Sequence, residues 1–409
     1  MALDLSPFGW EGLFLRYDLR DLAHSMPTWS HLKVLQDEPT TSLRFPNGAF
    51  NSPDVSGAYM PAYSKGTAIN TRGGYATIYR AQRRIYTCRA LTDNRMEVTL
   101  SGRPHDIAMK EIALNITKDE DAATPLTKHT AYEDEISAIL YEAVIHVLVY
   151  KCLERSGVAH YTPRMYEIVA DGVPPHDAPT QISSILFCME LLHGSTMEDY
   201  LKCVLVKSAT EKNEAILTDF LVQCAYVLHL LQTDLRFHHR DLKLNNVYRR
   251  DGRHSSVAPR ESLVLPNGHE WVPTLDLVLL DYGFSCIACG SISRTPRSTL
   301  VGAGSWFTMD DDCCKEGRDL AQLIFSLHCH FPLGDYVGPE YLAFFTKVMT
   351  ATDHGRPIQI LNGFTVDGRP LIRGQPVVYH NGVYHFLKRN SVEIPLCVPA
   401  VFLEGLLGL

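Results

Sequence analysis

The spacing of apolar and polar residues changes several times along this chain, and each change predicts an element. Between residues 75 and 114, β-branched and aromatic residues recur in three short runs, 75–79, 96–100 and 106–112, the habit of strands. A polar stretch at 118–130 reads as a loop. Residues 132–153 then take helical spacing, with Ile136, Ile139, Leu140, Ala143, Val147 and Tyr150 on one broad face. Residues 182–192 read as a strand entering a turn at His193-Gly194, and 217–231 as a long apolar helix. Short strands are expected around Val247 and Val278, on either side of a polar insert at 249–269. Early sheet and central helix predict an α+β fold in two parts. Beyond His330, Asn362-Gly363, Asp367-Gly368 and Asn381-Gly382 are hairpin signals and predict a β-rich C-terminal stretch. At the other end, Trp10, Phe14 and Tyr17 have the spacing of a short amphipathic helix, and Pro46 to Gly57 reads as a linker. Packing of this extension on the main body is preferred over a partner-docking arm.

Composition narrows the class. At 409 residues with 45% hydrophobic content, the chain can build more than one core. Its formal charge of −8 does not recommend the whole surface to nucleic acid. Eleven scattered cysteines, an odd number, fit a reducing compartment better than a disulfide frame. The first residues lack a basic start followed by an apolar core, and no apolar run approaches the ~20 residues of a membrane helix. A soluble intracellular protein without membrane contact is expected.

Chemistry concentrates in two runs. The first is His239-Arg240-Asp241-Leu242-Lys243-Leu244-Asn245-Asn246-Val247; the second is Leu279-Leu280-Asp281-Tyr282-Gly283, an acid closing an apolar strand. Phosphoryl transfer asks a protein mainly to position groups and neutralise charge. A carboxylate beside the attacking hydroxyl orients it and takes its proton, and amide and carboxylate oxygens suit Mg²⁺. In these runs the sequence resembles the eukaryotic protein kinase family, whose signatures are H-R-D-x-x-x-x-N and D-F-G. The resemblance extends over roughly residues 65–330.

The resemblance implies a bilobal α+β fold: a small β-rich N-lobe at 61–192 after an extension at 1–60, and a mainly helical C-lobe at 193–409 with a β-rich elaboration. It also implies roles. Asp241 is the catalytic base, Lys243 reaches the transferred phosphate as in the serine/threonine branch, and Asn246 and Asp281 bind Mg²⁺. Ile107-Ala108-Met109-Lys110 resembles V-A-I-K, making Lys110 the residue that orients ATP. Its partner is expected at Glu142, with Glu135 the competitor. Residues 71–78 resemble a worn glycine-rich loop in which Gly73, Gly74, Ala76 and Ile78 cover the nucleotide, although only one of three family glycines is kept. Ala108, Met189, Glu190 and Leu192 line the adenine pocket, with backbone groups of Glu190 and Leu192 pairing with the base. Asp319 is expected to brace the catalytic loop.

The match is incomplete. A-P-E is missing, residues 302–307 stand in its region, and Ser291, Ser293, Thr295, Ser298 and Thr299 are candidate phosphosites. The expected activity is transfer of the ATP γ-phosphate to Ser/Thr of a protein substrate. The rivals are a pseudokinase scaffold, favoured by the worn loop, and a small-molecule kinase, opposed by the Arg240–Lys243 pairing. Long inserts are similar in style to kinase-like proteins of large DNA viruses, and Tyr282 resembles the vaccinia-related kinase branch. A partner could dock on the N-terminal extension or the C-terminal β-rich part. A zinc site from Cys286, Cys289, Cys313, Cys314, His328, Cys329 and His330 is the lesser reading beside buried free thiols.

Overall fold

The structure, a computed structural model, describes residues 40–44, 59–70, 76–90, 95–114, 139, 142–143, 145–173, 181–252, 262–288, 299–301, 316–353, 356–359, 361–364, 370–372, 375–376 and 393–408. The chain divides into two compact units. One holds residues 12–143 and 164–192; the other holds 1–11, 144–163 and 193–409. This differs from the sequence boundaries at 144–163, which group with the C-terminal unit. Tyr161 explains part of the grouping: its hydroxyl donates to Gln223, deep in that unit.

The first unit is a six-stranded sheet. Its strands are β1 (Thr40–Arg44), β2 (Tyr59–Asn70), β3 (Thr77–Ala90), β4 (Arg95–Ala113), β5 (Met165–Val173) and β6 (Gln181–Glu190). The order is β2-β3-β4-β6-β5, with β1 paired to β4, and every pairing is antiparallel. The sequence runs predicted as separate short strands are parts of one long ribbon, β3 against β4. Alternation is visible across it: Ala81, Ile107, Met109, Leu186 and Cys188 form a buried cluster on one face, with Tyr79 and Tyr166 packed against it. Lys65, Glu111 and Ser184 tie three strands together beside that cluster.

Among the described residues, the second unit carries helices α1 (Met197–Val204), α2 (Thr210–Leu235), α3 (Arg318–His330), α4 (Pro339–Val348) and α5 (Pro399–Leu406). Residues 145–155 are also helical. Of the expected face, Ile139 and Ala143 are buried while Val147 and Tyr150 are half-buried, and Ile145, Val149 and Cys152 are buried as well. Helix α2 is long and apolar enough to cross a membrane by length and composition, contrary to the sequence expectation. Two-thirds of that apolar window is buried, as in a core helix.

Small sheets surround these helices. Strands β7 (Gly194–Thr196), β9 (Val247–Arg250) and β12 (Leu277–Leu279) form one, and β8 (Phe237–His238), β13 (Cys286–Ala288) and β14 (Thr299–Val301) another. Gly194 permits the first: a Cβ there would lie 1.9 Å from Arg249 O. The described end of the insert enters a hairpin, β10 (Leu263–Val264) with β11 (Glu270–Trp271). The C-terminal stretch is β-rich as expected, with β15 (Thr350–Asp353), β16 (Arg356–Gln359), β17 (Leu361–Phe364), β18 (Pro370–Ile372) and β19 (Gln375–Pro376). Asn362-Gly363 is not a turn, however. It lies inside β17, where the pairing with β18 is irregular. The other two hairpin signals lie outside the described residues.

Candidate active site

In the second unit, the chain leaves α2 through Arg236 at φ 47 and enters β8. Residues 239–246 follow as a loop and a single 3-10 turn, leading directly into β9. The loop backbone is clamped from α3. Asp319, 1% exposed, accepts from the backbone N–H of His239 at 2.9 Å and of Arg240 at 2.8 Å. Gln322 donates to Arg240 O at 3.1 Å, and Ser326 accepts from Leu244 N at 3.2 Å. Asp319, Gln322 and Ser326 follow one another at three and four residues along α3, so they share a stripe. That stripe of polar residues on an otherwise apolar helix is the signal that would have found Gln322 and Ser326. Gly317 opens the helix at φ 73, in space that a Cβ would contest with Ile394 O.

The clamp holds three functional side chains together. Lys243 Nζ donates to Asp241 Oδ2 at 2.6 Å. Asn246 Nδ2 donates to Asp241 O at 2.8 Å and to Asp241 Oδ2 at 3.1 Å. Asp241 is thus a carboxylate with one oxygen fixed by an ammonium and an amide. Both amide hydrogens of Asn246 are spent on Asp241, which leaves Oδ1 as its ligand atom. Asp281 follows β12, and the strand end is stitched to the loop. Leu280 N donates to Asn246 O at 2.9 Å, and His239 Nε2 lies 2.9 Å from Leu280 O. Asp281 itself is exposed and left-handed, at φ 63. An amide oxygen and a carboxylate on two stitched segments are hard donors and fit Mg²⁺. Among the described residues no cluster of three His, Cys, Asp or Glu could hold a metal ion.

In the first unit, Lys110 lies on β4 and its Nζ donates to Glu142 Oε1 at 2.5 Å; the side chains are 15% and 8% exposed. A half-buried ammonium needs a counter-charge, and Glu142 supplies it from a helical position. Glu135 lies outside the described residues. Ile78 is the cross-strand partner of Lys110, and Met189 that of Ala108, so these four lie side by side on three strands. Ala76, Met189, Glu190 and Leu192 are half-buried, and Ala108 is buried. The Glu190 N–H already donates to Arg164 O, which removes it as a donor to a ligand. Gly73 and Gly74 lie outside the described residues.

Tyr282, beside Asp281, is 1% exposed. Its hydroxyl is within hydrogen-bond reach of both Thr162 Oγ1, at 2.9 Å, and Leu279 O, at 3.2 Å. Its ring packs against His146, Phe237 and His239. Burial holds the phenol above its usual pKa, so it stays protonated.

The remaining expectations are mixed. Cys289, Cys313, Cys314, residues 302–307 and the candidate phosphosites Ser291, Ser293, Thr295 and Ser298 lie outside the described residues. Thr299 begins β14. Cys286 is buried in β13, and burial pushes the Cys329 thiol up to about 12 and the His328 imidazole down to about 3. Thr162, Asp219 and His146 were not singled out in the sequence, and their positions bear on the loops above.

No protein-family model matches the sequence, and no curated protein matches it. Among solved structures, the chain is similar to the autoinhibited serine kinase domain of the giant muscle protein titin. Identity is 10% and the TM-score 0.30, over 55% of this chain and 45% of that one. It is also similar to a structure of titin kinase and its flanking domains, at 11% identity and TM-score 0.29, over 55% of this chain and 26% of that one. The matched part therefore spans less than half of either titin chain.

Proposed function

We propose that this chain is a kinase-like protein that transfers the γ-phosphate of Mg·ATP to serine or threonine hydroxyls of a protein substrate. The observation that carries the reading is the Asp241 carboxylate, bonded to Lys243 and Asn246 on a loop whose backbone is held by Asp319. A surface turn has no need of such support. A base that must meet a hydroxyl within a few tenths of an ångström does.

In this reading Asp241 orients the substrate hydroxyl and accepts its proton as the oxygen attacks the γ-phosphorus. The bond from phosphorus to the β–γ bridging oxygen breaks, and ADP leaves. Lys243 steadies charge on the transferred group. Lys110, kept in place by Glu142, binds phosphates of the nucleotide, and Ala108 and Met189 offer an apolar wall to the base. Asn246 Oδ1 and the Asp281 carboxylate would hold Mg²⁺, which neutralises phosphate charge when bound.

The test is transfer of labelled γ-phosphate from Mg·ATP to the protein itself and to basic and acidic generic protein substrates, beside Asp241→Asn. Label on serine or threonine is expected, falling about 10³-fold in the variant. Absence of label with measurable ATP binding would replace the reading with a nucleotide-binding scaffold. Label on a sugar or antibiotic alone would make the chain a small-molecule kinase.

A further inference from the structure

Tyr282 does more than fill a hole. A buried tyrosine hydroxyl needs partners, and this one has two on different segments: Thr162, itself 1% exposed, and Leu279, the last residue of β12. The reach back to Leu279 O spans Leu280 and Asp281 and so closes that short segment on itself. The reach across to Thr162 ties it to the stretch that follows helix 145–155. Pro163 O in that stretch is 2.7 Å from His146 Nε2, and the His146 ring lies 5.0 Å from that of Tyr282. Ser285 N donates to Tyr282 O at 3.0 Å, fixing the other side of the turn. Between these ties sits Asp281 in a left-handed conformation that non-glycine residues adopt uncommonly.

We infer that the Tyr282 hydroxyl, through Thr162 Oγ1 and Leu279 O, is a latch that holds Asp281 in its left-handed pose and thereby presents the carboxylate to a divalent cation. Tyr282 is a positioning residue, not a catalytic one. A phenylalanine would supply the same ring to His146, Phe237 and His239 and would lack the latch. The inference rests on the proposed phosphotransfer for its consequence, but not for its structural content.

Two readouts separate these. The first needs no activity: hydrogen exchange of the 280–285 amides in the ligand-free protein. Tyr282→Phe is expected to raise exchange there about tenfold, the change that loss of one buried hydrogen bond produces, with amides of α2 unaffected. Thr162→Val, close in shape and without the hydroxyl, should act in the same direction, and Thr162→Ser should retain wild-type exchange. The second is Mn²⁺ binding in the presence of ADP, followed by electron paramagnetic resonance, with the Mg²⁺ dependence of transfer beside it. Tyr282→Phe should shift both midpoints upward about tenfold, and excess Mg²⁺ should restore its transfer rate. Unchanged 280–285 exchange in both Tyr282→Phe and Thr162→Val would overturn the latch. Faster exchange with an unmoved Mn²⁺ midpoint would overturn its role toward the cation. A wild-type protein that shows the exchange pattern and transfers no phosphate would instead defeat the kinase reading and leave the latch standing.

Discussion

Two loops of the second unit are each pinned by one buried aspartate, and they differ in what the pinning serves. The catalytic loop at 239–246 hangs from Asp319 on α3, which accepts two consecutive backbone N–H groups. The segment at 271–275, which follows the insert, hangs from Asp219 on α2. That carboxylate, 2% exposed, accepts from Trp271 Nε1 at 2.8 Å, Thr274 Oγ1 at 2.6 Å, Thr274 N at 2.9 Å and Leu275 N at 2.7 Å. Gln223, one turn along α2, adds a bond to Leu275 O and receives one from Tyr161. Asp219 therefore accepts twice as many bonds as the aspartate under the loop that carries the chemistry. Rigidity alone does not mark a functional loop; the groups that the rigidity delivers do. Asp319 delivers Asp241, Lys243 and Asn246. Asp219 delivers a strand start and a hairpin whose outward residues, Val264 and Val272, are exposed.

Four changes would break or sharpen this contrast. Asp219→Ala strands four donors and should cost the most stability, about 4 kcal/mol by denaturant midpoint, while transfer per folded molecule stays within about threefold. Asp319→Ala strands two backbone donors and should cost about 3 kcal/mol, yet transfer should fall about 100-fold at saturating ATP. Equal activity losses in the two variants would erase the distinction between them. Acid should weaken the fold in part through α3. Burial pushes His328 on α3 down to about 3 from an ordinary value of 6.5. The unfolded chain binds that proton below pH 6.5 and the folded one does not until about pH 3. Its contribution is thus complete above pH 6.5 and is lost on acidification, at about 1.4 kcal/mol per pH unit. Urea midpoints at pH 7, 6 and 5 should show a shallower slope in His328→Gln. Smallest, Trp271→Phe removes one of the four donors to Asp219, and about 1 kcal/mol should go with it and no activity.

The sequence makes the first loop legible and conceals the second for a physical reason. Asp241, Lys243 and Asn246 are neighbours in the chain, so one loop conformation brings them together. Lys110 and Glu142 are 32 residues apart, yet a strand lysine and a helical glutamate each announce themselves by their apolar surroundings. Asp219 gives no such sign. It is one acid within a long apolar helix, and its donors lie 52 to 56 residues away in a segment that reads as polar filler. Asn362-Gly363 misleads in the opposite way: the dipeptide suits a tight turn, but nothing local prevents a strand from containing it. The extent of β3 and β4 was hidden because charged residues such as Arg80, Arg83, Asp106 and Lys110 interrupt their apolar runs.

Helix α2 has a consequence for the making of the protein. Its apolar surface is buried in part by α5, whose first residue lies 164 positions after the last of α2. At ordinary translation speeds a ribosome needs roughly 10–30 s to cover that distance. For that interval the nascent chain carries a helix with the length and apolarity of a membrane span and without its final cover, so chaperones that bind apolar nascent segments should engage it before α5 emerges.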